Sequence, residues 1–184
     1  MKTQRRLPTF ALTLGLALCG AVSLAQVTVG GAPMYANKDI VDNAVNSKDH
    51  TTLVAAVKAA DLVDTLKGAG PFTVFAPTDA AFSALPAGTL DSLLVPDNKP
   101  ALTRVLTYHV VPGKLDAAAL KRQIAAGGGK ATLVTAAGGT LTATAGGDLI
   151  MLTDAAGGMA HVTIADVMQS NGVIHVVDKV LLPK

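Results

Sequence analysis

Between residues 39 and 126 apolar side chains recur mainly at intervals of three and four, the period of an amphipathic helix. Ile40, Val41, Ala44 and Val45 fit a short helix over 39–45. Leu53, Val54, Val57, Ala60 and Val63 or Leu66 predict a longer one, capped by Thr51 or Thr52 and closed at Gly68. Further short helices are predicted over 89–94 and, behind an Asp116 cap, over 117–124. Between them a helix starts at Pro100 and carries Leu102, Val105, Leu106 and His109 on one stripe. From Lys130 the pattern changes. Short β-type runs are separated by Gly138-Gly139, Gly146-Gly147-Asp148, Gly157-Gly158 and Asn171-Gly172, about ten residues apart. Asn171-Gly172 is the strongest hairpin signal, because a type I′ turn needs positive φ at both central residues.

One strand is embedded in the helical half, in the stretch Gly70 to Leu85. Phe72 to Ala76 is aromatic and β-branched, and both of its faces are expected to meet core. Pro77 ends it, having no N–H for a ladder. Thr78 is placed to cap a helix, Asp79 lies in its first turn where the helix dipole favours negative charge, and Phe82 and Leu85 point back toward the strand. Helices first, one embedded strand and then a β-meander make an α+β fold, with the helices packed on a mostly antiparallel sheet or wedge.

The N-terminus alters the bookkeeping of charge. Lys2, Arg5 and Arg6 precede the apolar run Phe10 to Leu18, and Ser23-Leu24-Ala25 supplies small residues where a signal peptidase reads, so residues 1–25 are expected to be a secretory signal peptide. The apolar run is too short for a membrane span. A lipid anchor at Cys19 is disfavoured, because the large Leu18 stands where a lipoprotein box has a small residue. Residues 26–36, with Gly30-Gly31 and Pro33, read as a flexible leader, and 37–184 as one domain.

Cleavage removes the single Cys, so the exported chain has no disulfide and relies on its core. It also removes three of the 15 basic residues and none of the 13 acids, leaving a nearly neutral chain without a basic nucleic-acid-binding surface. Every acid is Asp, so the paired Glu of a glycosidase is absent, as are GxSxG and a nucleophilic Cys. Gly127-Gly128-Gly129-Lys130 follows a helix and precedes a strand, the reverse of a phosphate-binding loop. His50, His109, His161 and His175 show no zinc spacing, and the Asp residues are too scattered for a calcium loop. No enzyme, metal or cofactor is expected.

FTVFAPTDAAF, the Tyr108-His109 pair within LTYHVVPGKL, and the closing NGVIHVVDKVLLP resemble, in that order, a fasciclin (FAS1) domain spanning about Asn37 to Lys184. The resemblance implies a β-wedge capped by a helical bundle. It also implies a secreted, cell-surface or periplasmic adhesion module with an extracellular protein or polysaccharide partner, and weak association between copies as a further option. In animal members a Tyr-His region is implicated in integrin binding; here it falls on Tyr108 and His109, flanked by Leu102, Val105 and Leu106. A second family site, an Asp-Ile pair, falls on Asp166-Val167, where Val replaces Ile.

A structural reading stands beside each. His109 lies on an apolar stripe, and its ring is expected to bond Asp79 or Thr78 across the core. Phe72, Phe75, Thr78, Asp79, Phe82, Asn171, Gly172, His175 and Asp178 are assigned to core and capping, Asp178 through a bond to a nearby backbone N–H. The alternative function is a small-ligand carrier with a groove between helical cap and sheet.

Overall fold

The structure, a computed structural model, describes residues 27–147 and 149–184. The expected signal peptide and Cys19 lie outside the described residues. A small hairpin, β1 (Thr28–Val29) with β2 (Ala32–Pro33), leads into the helices α1 (Ile40–Ala44), α2 (Thr51–Ala59) and α3 (Val63–Leu66). Strand β3 (Phe72–Pro77) follows, then α4 (Asp79–Ser83), α5 (Thr89–Leu94), a 3-10 turn (Pro96–Asn98) and α6 (Lys99–Tyr108). After β4 (Val110–Pro112) and α7 (Ala117–Ala126) comes the meander: β5 (Lys130–Val134), β6 (Thr140–Gly146), β7 (Leu149–Thr153), β8 (Met159–Gln169) and β9 (Gly172–Val177). The architecture is α+β.

The sheet order is β4-β3-β9-β8-β7-β6-β5, and every pairing is antiparallel except β3 with β9. The embedded strand is thus the junction that joins the helical half to the end of the chain. Its burial on both faces follows. Thr73 is fully buried, but its hydroxyl donates to Gly113 O at 2.7 Å and accepts from Leu115 N at 2.8 Å, so no polar group is stranded.

Two apolar clusters share this sheet. One lies under α1 to α6 and contains Leu53, Val57, Val74, Phe82, Leu102 and Ile174. The other lies between α7 and the inner face of the meander, where Leu120 and Ile124 meet Leu133, Leu141, Leu152 and Val162. Alternation puts Ala131, Leu133, Leu141, Ala143, Ile150 and Leu152 inward and leaves the opposite face uncovered by the described helices. The two sheet edges approach one another, and Ala136 N donates to Val110 O at 2.7 Å.

Four local expectations are corrected. The leader is not a flexible arm over its described part: Val29 and Met34 are buried in the first cluster, and Met34 N donates to Val27 O at 2.9 Å. The long helix predicted to run to Gly68 is broken into α2 and α3, because Asp61 adopts φ 54°, a left-handed conformation that ends a helix. Its start is not capped by Thr51 or Thr52; the amides of both donate to the Asp79 carboxylate, at 3.3 and 2.8 Å. The last hairpin turns at Ser170-Asn171, with Gln169 paired to Gly172, and neither Asn171 nor Gly172 has positive φ.

Those last two residues have other work. Asn171 Oδ1 accepts from Ile40 N at 3.1 Å while its amide donates to Leu66 O at 2.7 Å, tying α1 and α3 to the hairpin. Gly172 is required by proximity: a Cβ there would stand 2.0 Å from Phe72 O, in backbone that a side chain cannot displace.

Candidate functional site

Helix α6 positions the Tyr-His pair. Its stripe of Leu102, Val105 and Leu106 is buried against the first cluster, which sets the rotation of the helix and turns Tyr108 into the second one. Tyr108 has no exposed surface; its hydroxyl donates to Thr140 O at 2.6 Å and accepts from Ala155 N at 3.0 Å. Burial raises its pKa. Gly139 lies so close to the ring that a Cβ there would approach Cε2 to 2.6 Å.

His109 is not bonded to Asp79 or Thr78. Asp79 serves α2, its carboxylate accepting from the Thr51 hydroxyl at 2.6 Å as well as from the two amides. Burial opposes its ionisation, but these donors outweigh that and hold its pKa below the usual carboxylate value. Thr78 accepts from Ala81 N at 3.2 Å and caps α4. His109 instead spans the backbone of two distant segments: Nδ1 lies 2.8 Å from Val105 O, and Nε2 accepts from Leu181 N at 2.9 Å. That pairing fixes the neutral tautomer, with the proton on Nδ1. Burial lowers the pKa to about 4.

The second expected site is elsewhere. Asp166 stands at a bulge in β8 with φ 59°, and its carboxylate accepts from Ala117 N at 2.6 Å at the start of α7. Val167 is 1% exposed. His175 accepts at Nδ1 from Asp166 N at 3.3 Å, donates from Nε2 to Leu115 O at 2.7 Å and stacks on Phe75 with ring centroids 5.6 Å apart. Leu102, Val105, Leu106, Tyr108, His109 and Val167 are therefore all buried, and their side chains are not presented to a partner in this conformation. Of that set only Asp166 reaches partial exposure.

The structure adds a crevice that the spacing of residues did not reveal. It has a volume of about 90 Å³ and lies between α1, α2, α3 and α6 with β3 at its floor. Val54, Val57, Leu62 and Leu66 wall it, and Leu106 and His109 line it from the α6 side. The lining is made of aliphatic residues that also belong to the helices' core stripes, so nothing in the sequence sets it apart. A smaller void of about 30 Å³ lies beside His50, whose Nδ1 is 2.8 Å from Ser47 Oγ and whose Nε2 has no hydrogen-bond partner among the described residues.

No group of three His, Cys, Asp or Glu residues converges among the described residues, and no described helix is long and apolar enough to cross a membrane. A family model described as the Fasciclin domain matches residues 48–183. The chain belongs to the fasciclin domain family. It is 44% identical to Protein sll1483 of Synechocystis sp., across 100% of this chain and 99% of that one. It is 38% identical to the Immunogenic protein MPB70 of Mycobacterium bovis, over 76% of this chain and 66% of that protein. The fasciclin fold is shared with a FAS1 domain pair of the insect cell adhesion molecule fasciclin I, at TM-score 0.69 and 18% identity, covering 79% of this chain and 51% of that one.

Proposed function

We propose that this fasciclin domain is a secreted or surface-exposed, non-catalytic interaction module that adheres to an extracellular protein or polysaccharide. The observation that carries the reading is the apolar crevice on the helical cap. At about 90 Å³ it is smaller than the roughly 150 Å³ cavity that admits a benzene molecule, so it suits one side chain or a few methylenes. A socket of that size is what a buried anchor residue of a partner fills at the centre of an interface. In this reading the Tyr-His region acts from beneath: Leu106 and His109 form part of the lining, while Tyr108, Leu102, Val105 and Val167 hold α6 and the sheet in place.

The alternative, a carrier of a small apolar ligand, draws on the same lining, and the volume restricts its cargo to a short alkyl segment. Retention of cells or matrix polysaccharide of the producing organism on a surface coated with the protein tests the first reading. Saturable retention that is lost in Val54→Trp, at unchanged melting temperature, is expected. Retention no greater than on an albumin-coated surface refutes adhesion, and retention indifferent to Val54→Trp removes the crevice from it. Mass spectrometry of the exported protein checks its processing: an N-terminus at Gln26 is expected, and an acylated Cys19 would mean a lipid anchor.

A further inference from the structure

The uncovered outer face of the meander carries two methionines and a histidine in register. Met151 on β7 is the direct partner of His161 on β8, and Met159 precedes His161 by two residues, on the same face. Their inward neighbours Ile150, Leu152, Ala160 and Val162 are buried. Side chains directly opposed in an antiparallel pair have Cβ atoms about 5 Å apart, and diagonal ones about 7–8 Å, distances that long side chains bridge. Met159 is 56% exposed, and its cross-strand partner is Thr153. Met151 leans over Gly146 of β6, its Cε 3.4 Å from where a Cβ would stand, so a site at His161 requires its flexible side chain to turn toward β8.

His161 is the one histidine among the described residues that is not buried, and it is held for use. Asp178 accepts from His161 N at 2.7 Å through one oxygen and pairs with Nδ1 at 3.0 Å through the other. The carboxylate fixes the proton on Nδ1, leaving the Nε2 lone pair directed away from Asp178 and without a hydrogen-bond partner among the described residues. A carboxylate behind the far nitrogen of an imidazole is the usual support of a metal-ligating histidine.

From these positions we propose that Met151, Met159 and His161 form a surface site for Cu(I), with Asp178 as the positioning residue. Two thioethers and one imidazole are a soft, neutral donor set that selects Cu(I). Zinc, by contrast, requires thiolate, imidazole or carboxylate ligands, and of these three donors His161 alone is of that kind. The expectation that the chain holds no metal weighed only zinc and calcium donors. The site lies on the sheet face opposite the second core, so it is independent of the crevice on the helical cap.

The test uses the full chain carrying Cys19→Ser, which removes the single thiol, titrated anaerobically with Cu(I) against bicinchoninate. One equivalent withdrawn from the chelator is expected, with affinity falling about tenfold or more in Met151→Leu, Met159→Leu and His161→Ala, all at unchanged melting temperature. In Asp178→Asn the affinity falls and in Asp178→Glu it is partly restored, because the carboxylate orients the imidazole. Failure to withdraw Cu(I), or affinity unaffected by both methionine variants, overturns the proposal. So does Zn(II) binding as tightly as Cu(I).

Discussion

Acid should loosen this domain through His109, and the size of the effect follows from its surroundings. The folded ring accepts from Leu181 N at Nε2 and faces Val105 O at Nδ1, so a proton added at Nε2 sets two donors against each other inside the core. The group titrates at about 4 when folded and at the ordinary 6.5 when unfolded. In that window the unfolded chain binds more protons, so stability rises with pH: the contribution is complete above pH 6.5, falls as the pH drops, and is gone below about 4. The interval corresponds to about 3 kcal/mol at most, or a loss of roughly ten degrees in melting temperature for a domain of this size. Burial lowers the pKa of His175 and His50 as well, and both add to the slope with the same sign. Urea denaturation at intervals from pH 7 to 4, comparing wild type with His109→Gln, isolates the His109 part. The glutamine amide retains an acceptor for Leu181 N and a donor for Val105 O but does not titrate. It should be less stable at pH 7 and show a visibly shallower dependence on pH. Parallel curves for the two proteins would refute the assignment.

Three further outcomes are expected. Asp79→Ala removes a cap supplied to α2 from another helix, and should cost about 1–2 kcal/mol in denaturant unfolding at neutral pH. The loss should fade as the pH falls through the depressed Asp79 pKa, since the wild-type carboxylate is then protonated. Tyr108→Phe leaves Thr140 O and Ala155 N without their partner and should lower stability by about 1–3 kcal/mol, with the circular dichroism spectrum unchanged. Gly172→Ala drives a methyl into Phe72 O and should prevent recovery of folded protein, whereas Val173→Ala at the next position should give a folded, weakened domain.

What could be read from the chain was whatever neighbours in sequence decide. The α6 stripe, the short helices α5 and α7, the Thr78 and Asp116 caps and the meander all depend on residues within one turn or one hairpin, and each left its local signal. What stayed hidden was decided across distance. The α2 cap comes from Asp79, 28 residues beyond Thr51, and the two threonines that open the helix looked sufficient by themselves. Asn171-Gly172 has the composition of a turn, yet its residues are committed to α1, α3 and the backbone of β3, which moves the turn back by one position. Aspartate at 61 gave no warning of a left-handed break inside an apolar helical pattern. The candidate site shows the same division. A Tyr-His pair is conspicuous in sequence, but its burial follows from packing on both sides of α6, and the crevice beside it is made by four helices at once.

The parallel pairing of β3 with β9 also orders events in time. Phe72 meets Gly172 and Pro77 meets Val177, so the central strand must wait for the penultimate stretch of the chain before it gains a neighbour on that side. Until then its other neighbour is the three-residue β4, and its hydrophobic residues are a template for unwanted pairing. Closing so long a loop slows folding more than it weakens the product. Under the secreted role proposed above, that delay is an advantage: the half that emerges first is unable to lock prematurely, and the last strand to arrive is the one that completes the sheet.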